Sequence, residues 1–343
     1  MPAPVPIDER VHDQLLAAKR AASKEFLVAA PPGPELVAFA ASSEPRHNVV
    51  GVGIGRKIVK GKPTSKLCLR FYVERKFAKA AIPKELLLPA SWQGSDTDVV
   101  ETGRFYPQSA AVSLAQRRLR PARPGCSVGF QFSGAMARFV MAGTFGAVVQ
   151  SNGKWFILSN NHVLANENKL AVGSPIFQPG LLDGGDPVRD QIATLSRFVP
   201  ISAGQPNTVD CAIAEVVDRR NVRTRFLPKV GQLRSPDPAP VSEGMKVHKI
   251  GRTTWYTTGV VFDTSADITI RYDVGRVTFQ DQVLIRGGSG LFSDQGDSGA
   301  VIVEMASGRP AALLFAGSRG VNPYTIANHL PEVLSKLQVT IVR

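Results

Sequence analysis

A mainly β protein is the fold class this sequence predicts: two antiparallel β-barrels, preceded by a small α+β unit and an N-terminal helical arm. Two observations carry the prediction. From Gly125 onward, short β-branched runs recur, separated by Gly, Asp, Asn and Pro, which is the signature of barrels or a sandwich. At 343 residues, with 31 Gly and 25 Pro, the chain is also longer than one core usually organises, so two folded units plus linkers are expected. Apolar content of 43% and charged content of 20% admit a globular enzyme and exclude a disordered or fibrous chain.

Residues 7–29 have helix-forming composition, with Leu15, Leu16, Ala18, Ala22 and Leu27 among charges, and Pro31-Pro32-Gly33-Pro34 stops any helix. Residues 1–45 are therefore the helical arm. A strand over 48–55, a turn over 60–63 and a returning strand over 68–73, in which Leu69, Phe71 and Val73 alternate, make a hairpin. A short helix over 83–88 and a strand over 98–102 complete a small α+β domain, residues 46–106. The glycines of Gly51-Val52-Gly53-Ile54-Gly55 miss the spacing of a nucleotide loop and no helix pattern follows, so they mark a glycine-rich strand or bulge. Residues 107–124, basic and proline-bearing, form a linker. Beyond it, strands are expected at 143–149, 155–159, 210–217, 245–250, 259–262, 268–272, 283–286, 300–304 and 311–315, then a closing helix over 324–337. The break Ser235-Pro236-Asp237-Pro238-Ala239-Pro240 divides residues 125–343 into the two barrels.

The net charge of +13 is uneven: residues 1–124 hold 20 Lys/Arg against 11 Asp/Glu, and the remainder 21 against 17. Such a surplus attracts nucleic acid, acidic protein or anionic lipid. No aromatic-basic motif accompanies it, so a solvated basic surface is expected and nucleic acid is not the expected partner. No apolar run approaches the length that crosses a bilayer, and the stretch 27–41 is broken by prolines. Asp8, Glu9, Arg10 and Asp13 stand where a secretory leader would be apolar. Cys68, Cys126 and Cys211 are odd in number and widely spaced, which fits neither a disulfide framework nor a metal knuckle. Reduced thiols and the cytoplasm are the expectation. The acidic loop from Asp183 to Asp190 lacks calcium-loop spacing and is taken as solvated surface. Neither a metal nor an organic cofactor is expected.

Acyl transfer at a peptide bond needs a nucleophile, a base near neutral pKa, and a carboxylate that holds the base in its useful tautomer. Gln295-Gly296-Asp297-Ser298-Gly299-Ala300 sets Ser298 between glycines, so that the N–H groups of Gly296 and Ser298 can face a developing oxyanion. Residues 156–164 run as a buried strand into a polar turn that carries His162, at a rim position that suits a base. Asp210 lies at the mouth of the apolar run 211–214, where burial against an imidazole gives it reason to stay charged. The other histidines, His12, His47, His248 and His329, lack such a context and are assigned to structure or surface.

The order His162, Asp210, Ser298, with Asn161-His162-Val163-Leu164 and Gly296-Asp297-Ser298-Gly299 around it, resembles the trypsin-like serine peptidases of the chymotrypsin fold, over residues 125–343. The order excludes those of subtilisin and the α/β-hydrolases. Residues 142–149 and 250–254 are similar to the cytosolic bacterial and plant narrow-leaf type branch, and residues 50–76 resemble the domain that precedes the protease there. Trp255 in place of a glycine, and Cys211 in place of Ile or Leu, depart from the pattern. The resemblance implies two six-stranded barrels and an intracellular serine endopeptidase acting on protein or peptide substrates. It also implies Phe292 at the base of the specificity pocket, with Phe315 to Gly317 lining its wall and pairing with substrate backbone. An aromatic base selects small or apolar side chains, although Asp294 stands close by. Asp297 pairs with a new N-terminus in many secreted relatives; here Arg120-Pro121 and Arg123-Pro124 resist tryptic cleavage, so activation by trimming is not expected. The N-terminal region would recruit substrate, build a homo-oligomer or restrain activity. Two rival readings are a latent protease-like scaffold and a nucleic-acid-associated protein using the basic N-terminal region.

Overall fold

Why the chain folds as strands is visible in its side-chain alternation. The computed structural model describes residues 9–27, 48–59, 61–77, 80, 82–103, 105–106, 113–136, 139–288, 290–318 and 323–343. The proline stop at 31–34, His47 and the first part of the linker lie outside the described residues. The N-terminal part comprises α1 (Glu9–Phe26), β1 (Val49–Val59), β2 (Lys62–Val73), β3 (Ser91–Trp92), β4 (Ser95–Glu101) and β5 (Phe105–Tyr106). Next come β6 (Ser127–Val128), β7 (Gly143–Thr144), β8 (Ala147–Ser151), β9 (Lys154–Ser159), α2 (Asn161–Leu164), β10 (Pro175–Phe177), β11 (Gln191–Phe198) and β12 (Ala212–Val216). The C-terminal part holds β13 (Lys246–Gly251), β14 (Trp255–Tyr272), β15 (Gly275–Gly287), β16 (Val301–Glu304), β17 (Pro310–Ser318), β18 (Tyr324–His329), α3 (Leu330–Leu337) and β19 (Thr340–Ile341). The molecule is mainly β.

Strands β10-β11-β12-β9-β8-β19 form a six-stranded sheet in that order. Both of its faces are buried. Val148, Ile157, Ala212 and Ala214 point into one core with Phe130, Phe145 and Leu195. Their neighbours Val149, Phe156, Leu158 and Ile213 point into a second core with Val301, Leu313, Leu330 and Leu337. This period-two division welds the sheet to the C-terminal half and to α3, because each strand contributes apolar surface in both directions.

The second sheet has 11 strands, and within it β13-β16-β17-β18-β15-β14 run in order, with β13 pairing back onto β14. These six strands therefore close a ring around Val247, Val261, Val283, Ile285, Ile302 and Leu314. β14 is a single long strand where the sequence predicts two. Asp263 and Asp267 sit in the interval, and both are buried; they carry partners there, so polar residues do not end the strand. Residues 324–329 are a strand rather than the start of the predicted helix: β18 pairs with β15 and β17, and the helix begins at Leu330 with Pro331 in its first turn.

The N-terminal strands join this same sheet. β1 and β2 form the expected hairpin, β4 runs parallel to β2, and β1 pairs with β14 at Gly51–Ile268 and Val52–Asp267. α1 packs across it with Ala22 against Val52, Leu69, Phe71 and Val73. Buried Lys19 holds Asp267 at 2.9 Å and Asp281 at 2.7 Å. The glycines of β1 serve this packing: a Cβ on Gly53 would lie 2.4 Å from the Asp263 carboxylate, and one on Gly55 would lie 2.2 Å from the Arg70 guanidinium. Among the described residues, no helix is long and apolar enough to cross a membrane.

Candidate active site

β9 ends at Ser159, and the single turn α2 lifts His162 to the rim of the six-stranded sheet. Asp210 lies just ahead of β12, paired side by side with β9, so the two residues meet across the sheet end. The His162 Nδ1 to Asp210 Oδ2 distance is 2.5 Å. Oδ1 of Asp210 accepts from the N–H groups of Asn161 at 2.7 Å and His162 at 3.3 Å. Oδ2 also accepts from the Tyr272 hydroxyl at 2.7 Å. Asp210 is fully buried, and these donors offset the cost of taking its charge out of water. With Nδ1 donating to the carboxylate, Nε2 is the acceptor nitrogen. Burial pulls the His162 pKa down, but the charge of Asp210, its hydrogen bond and the charge of Glu167 outweigh burial and raise it.

Ser298 sits in the loop between β15 and β16. Gly296 has φ +98°, and a Cβ there would lie 2.5 Å from the Arg252 guanidinium and 2.6 Å from Thr253 Oγ1, so only glycine fits. The N–H groups of Asp294, Gln295, Asp297, Gly299 and Ala300 all have acceptors. Those of Gly296 and Ser298 have none among the described residues. These are the two donors the sequence predicts for an oxyanion hole. The loop is anchored to the six-stranded sheet's side by Thr144, whose N–H donates to the Ser298 carbonyl at 2.8 Å and whose hydroxyl donates to the Gly296 carbonyl at 2.8 Å. The Ser298 hydroxyl itself donates to the Phe315 carbonyl at 3.2 Å. The structure thus joins His162 to Asp210 and carries no hydrogen bond between Ser298 and His162 among the described residues.

Asp297 is held from within the chain. Its Oδ2 accepts from Lys249 Nζ at 3.0 Å, Thr254 Oγ1 at 2.5 Å and the Asp294 N–H at 3.0 Å. Oδ1 accepts from the N–H groups of Thr253 at 2.8 Å and Thr254 at 3.1 Å. Both Lys249 and Asp297 are 0% exposed. Burial lowers the Lys249 pKa, and Asp297 works against that fall. Sequence reasoning missed Lys249, although a lysine between Val247 and Gly251 on the inward face of a strand is itself a signal of a buried partner.

Phe292 is buried in the core ringed by the six C-terminal strands, with Lys249 Nζ 5.9 Å from its ring centre. Phe315 is buried against Phe279, 4.8 Å between ring centres, and meets Ser298 through its carbonyl. Gly317 lies further along β17, opposite Tyr106 of β5 and Thr325 of β18. Tyr272 and Glu167 were invisible to sequence reasoning, since nothing local marks them. Glu167 is pushed up to about 7 by burial and then by the charge of Asp273, against the Asp273 N–H and the charges of His162 and Lys169. The acidic loop is engaged by arginines: Asp183 by Arg252 at 2.6 Å, Asp190 by Arg118 and Arg120. All three cysteines are buried and free, and burial raises each thiol, Cys68 and Cys126 to about 12.

Among solved structures, the chain is similar to a glutamic acid specific serine protease at 19% identity, covering 64% of this chain and 100% of that one, with a TM-score of 0.46. Protease A of Thermobifida fusca is 15% identical over 64% of this chain and 99% of its own, with a TM-score of 0.46. A Nocardiopsis protease is 15% identical over 65% and 100%, with a TM-score of 0.45. No family model and no curated protein matches the chain.

Proposed function

We propose that the chain is a serine endopeptidase of the chymotrypsin fold, with residues 125–343 as its peptidase domain in two barrels. The observation that carries this is the loop 294–299, which among the described residues leaves the N–H groups of Gly296 and Ser298 without an acceptor, on a molecule where Asp210 already holds His162. In the reaction, the Ser298 hydroxyl turns from the Phe315 carbonyl to His162. Nε2 takes its proton as Oγ attacks the substrate carbonyl, and Asp210 stabilises the imidazolium. The N–H groups of Gly296 and Ser298 receive the oxyanion, each worth about 3 kcal/mol of transition-state stabilisation. His162 returns the proton to the leaving amine, and water then releases the acyl group. Buried free thiols fit a reducing compartment. Residues 142–149 and 250–254 support placement in the cytosolic bacterial and plant narrow-leaf type branch.

The substrate backbone would add to the edge of β17 beside Phe315 and Gly317 that lies away from β18, with Phe292 under the side-chain pocket and small or apolar residues preferred. One observation favours a restrained form of the same enzyme. β5 pairs antiparallel with Gly317 and Ser318, so the chain's own Phe105–Tyr106 stands on that edge and runs toward the Phe315 end, as an extended substrate would. Cleavage of a peptide library by the full-length protein, with His162→Ala and Ser298→Ala as controls, tests the proposal. Cuts that vanish in both variants support it, whereas cuts that persist in Ser298→Ala assign the activity elsewhere.

A further inference from the structure

We propose that Tyr272 is a positioning residue of the triad, delivered to Asp210 by the β14–β15 hairpin that the N-terminal unit braces; this rests on the peptidase reading above. The hairpin is longer than closure of the six-strand ring requires. Its strands stay paired out to Tyr272–Gly275, and its turn reaches the chain just after His162. There the Asp273 N–H donates to Glu167 Oε2 at 2.8 Å, and Lys169 Nζ meets Asp273 at 2.6 Å. The Tyr272 hydroxyl lies 2.7 Å from Asp210 Oδ2, the same oxygen that His162 Nδ1 meets. Its ring stands 6.1 Å from the imidazole and 5.9 Å from Phe279. Tyr272 is buried, and burial with the charges of Asp210 and Glu167 keeps the phenol far above its usual range. It is a permanent donor.

The N-terminal unit grips this hairpin along its length. Besides β1 on β14, Lys19 holds Asp267 and Asp281 on opposite strands, the Ser23 hydroxyl donates to Asp267 at 2.5 Å, and the Tyr72 hydroxyl donates to Asp263 at 2.6 Å. A role for α1, β1 and β2 follows: they hold the strand that carries Tyr272 against the catalytic carboxylate. Electrostatically, a phenol on Oδ2 draws off part of the charge that His162 feels. Without it Oδ2 faces the imidazole alone, while Oδ1 keeps the N–H groups of Asn161 and His162, so the imidazolium is favoured and the carboxylate plane loses one of its fixings. The groups facing His162 are Asp210, Tyr272 and Glu167, with Asp273 and Lys169 behind Glu167.

Tyr272→Phe keeps the ring and removes the hydroxyl. Because the charge of Glu167 acts on His162, the readout is the His162 Nδ1–H proton resonance followed against pH in the Ser298→Ala background, together with the rate of fluorophosphonate labelling in the Ser298 protein. The expected result is a displaced resonance, a His162 midpoint moved to higher pH, and labelling slower by about tenfold, the equivalent of one charge-assisted hydrogen bond of about 1.4 kcal/mol. If the variant does not fold, 3-fluorotyrosine at position 272, a stronger donor, is expected to move the midpoint the other way. A resonance and midpoint unchanged by either replacement would overturn the proposal. Wild type that is not labelled would instead sink the peptidase reading, and the resonance would still decide the place of Tyr272.

Discussion

Replacing Lys249 with methionine removes the cation under the Ser298 loop while keeping the length of the side chain. Asp297 then remains fully buried with the hydroxyl of Thr254 and three backbone N–H groups as its donors. Breaking a buried pair by removing one partner costs about 3–5 kcal/mol, and the surviving donors put this case near 3. For a chain of this size that lowers Tm by roughly 5 °C. The larger effect falls on chemistry. Asp297 accepts from Asp294 and, through its own N–H, bonds back to the Asp294 carbonyl, so the turn that presents the Gly296 and Ser298 N–H groups is built on it. Displacing these donors costs on the order of 100-fold in acylation, the scale of losing one oxyanion donor. Thermal unfolding and the second-order rate of fluorophosphonate labelling measure the two effects separately. Labelling at the wild-type rate with Tm unchanged would refute the argument that Lys249 holds the loop, and with it the reading that no new N-terminus is needed.

Two further outcomes are expected. Glu167, raised to about 7 from its ordinary 4.5, adds stability that is complete below about 4.5 and is lost as pH rises through about 7. Glu167→Gln should flatten the fall in Tm across that window and move the acid limb of labelling to lower pH, since a negative charge near His162 is gone; an unaltered slope in Tm counts against this. Tyr106→Pro removes a strand N–H opposite Gly317 and should lower KM for peptides by about tenfold without changing labelling by a small fluorophosphonate. An unchanged KM would mean that β5 does not compete with substrate.

What the sequence made legible is what short segments encode. His162 and Asp210 stand at the ends of β9 and β12, where apolar alternation stops, and Ser298 stands between two glycines that both take positive φ. The hairpin of β1 and β2 shows in its own period. What stayed hidden depends on distant partners. Asp263 and Asp267 look like a loop until Tyr72 and Lys19 are placed beside them, which is why β14 divides into two on paper. Tyr272 reaches Asp210 from a separate hairpin, and Lys249 reaches Asp297 across the ring, and neither spacing follows a local period. Residues 324–329 have no strong helix-breaking residue, and only pairing with β15 and β17 makes them a strand.

If Ser298 is an activated nucleophile, fluorophosphonate must label it in the purified full-length protein. Intact mass of wild type and Ser298→Ala, with the adduct mapped by peptide mass, gives the readout. One adduct is expected, on Ser298, absent from Ser298→Ala and slowed in His162→Ala. A folded wild type that takes up no reagent, or an adduct that persists in Ser298→Ala, would contradict it.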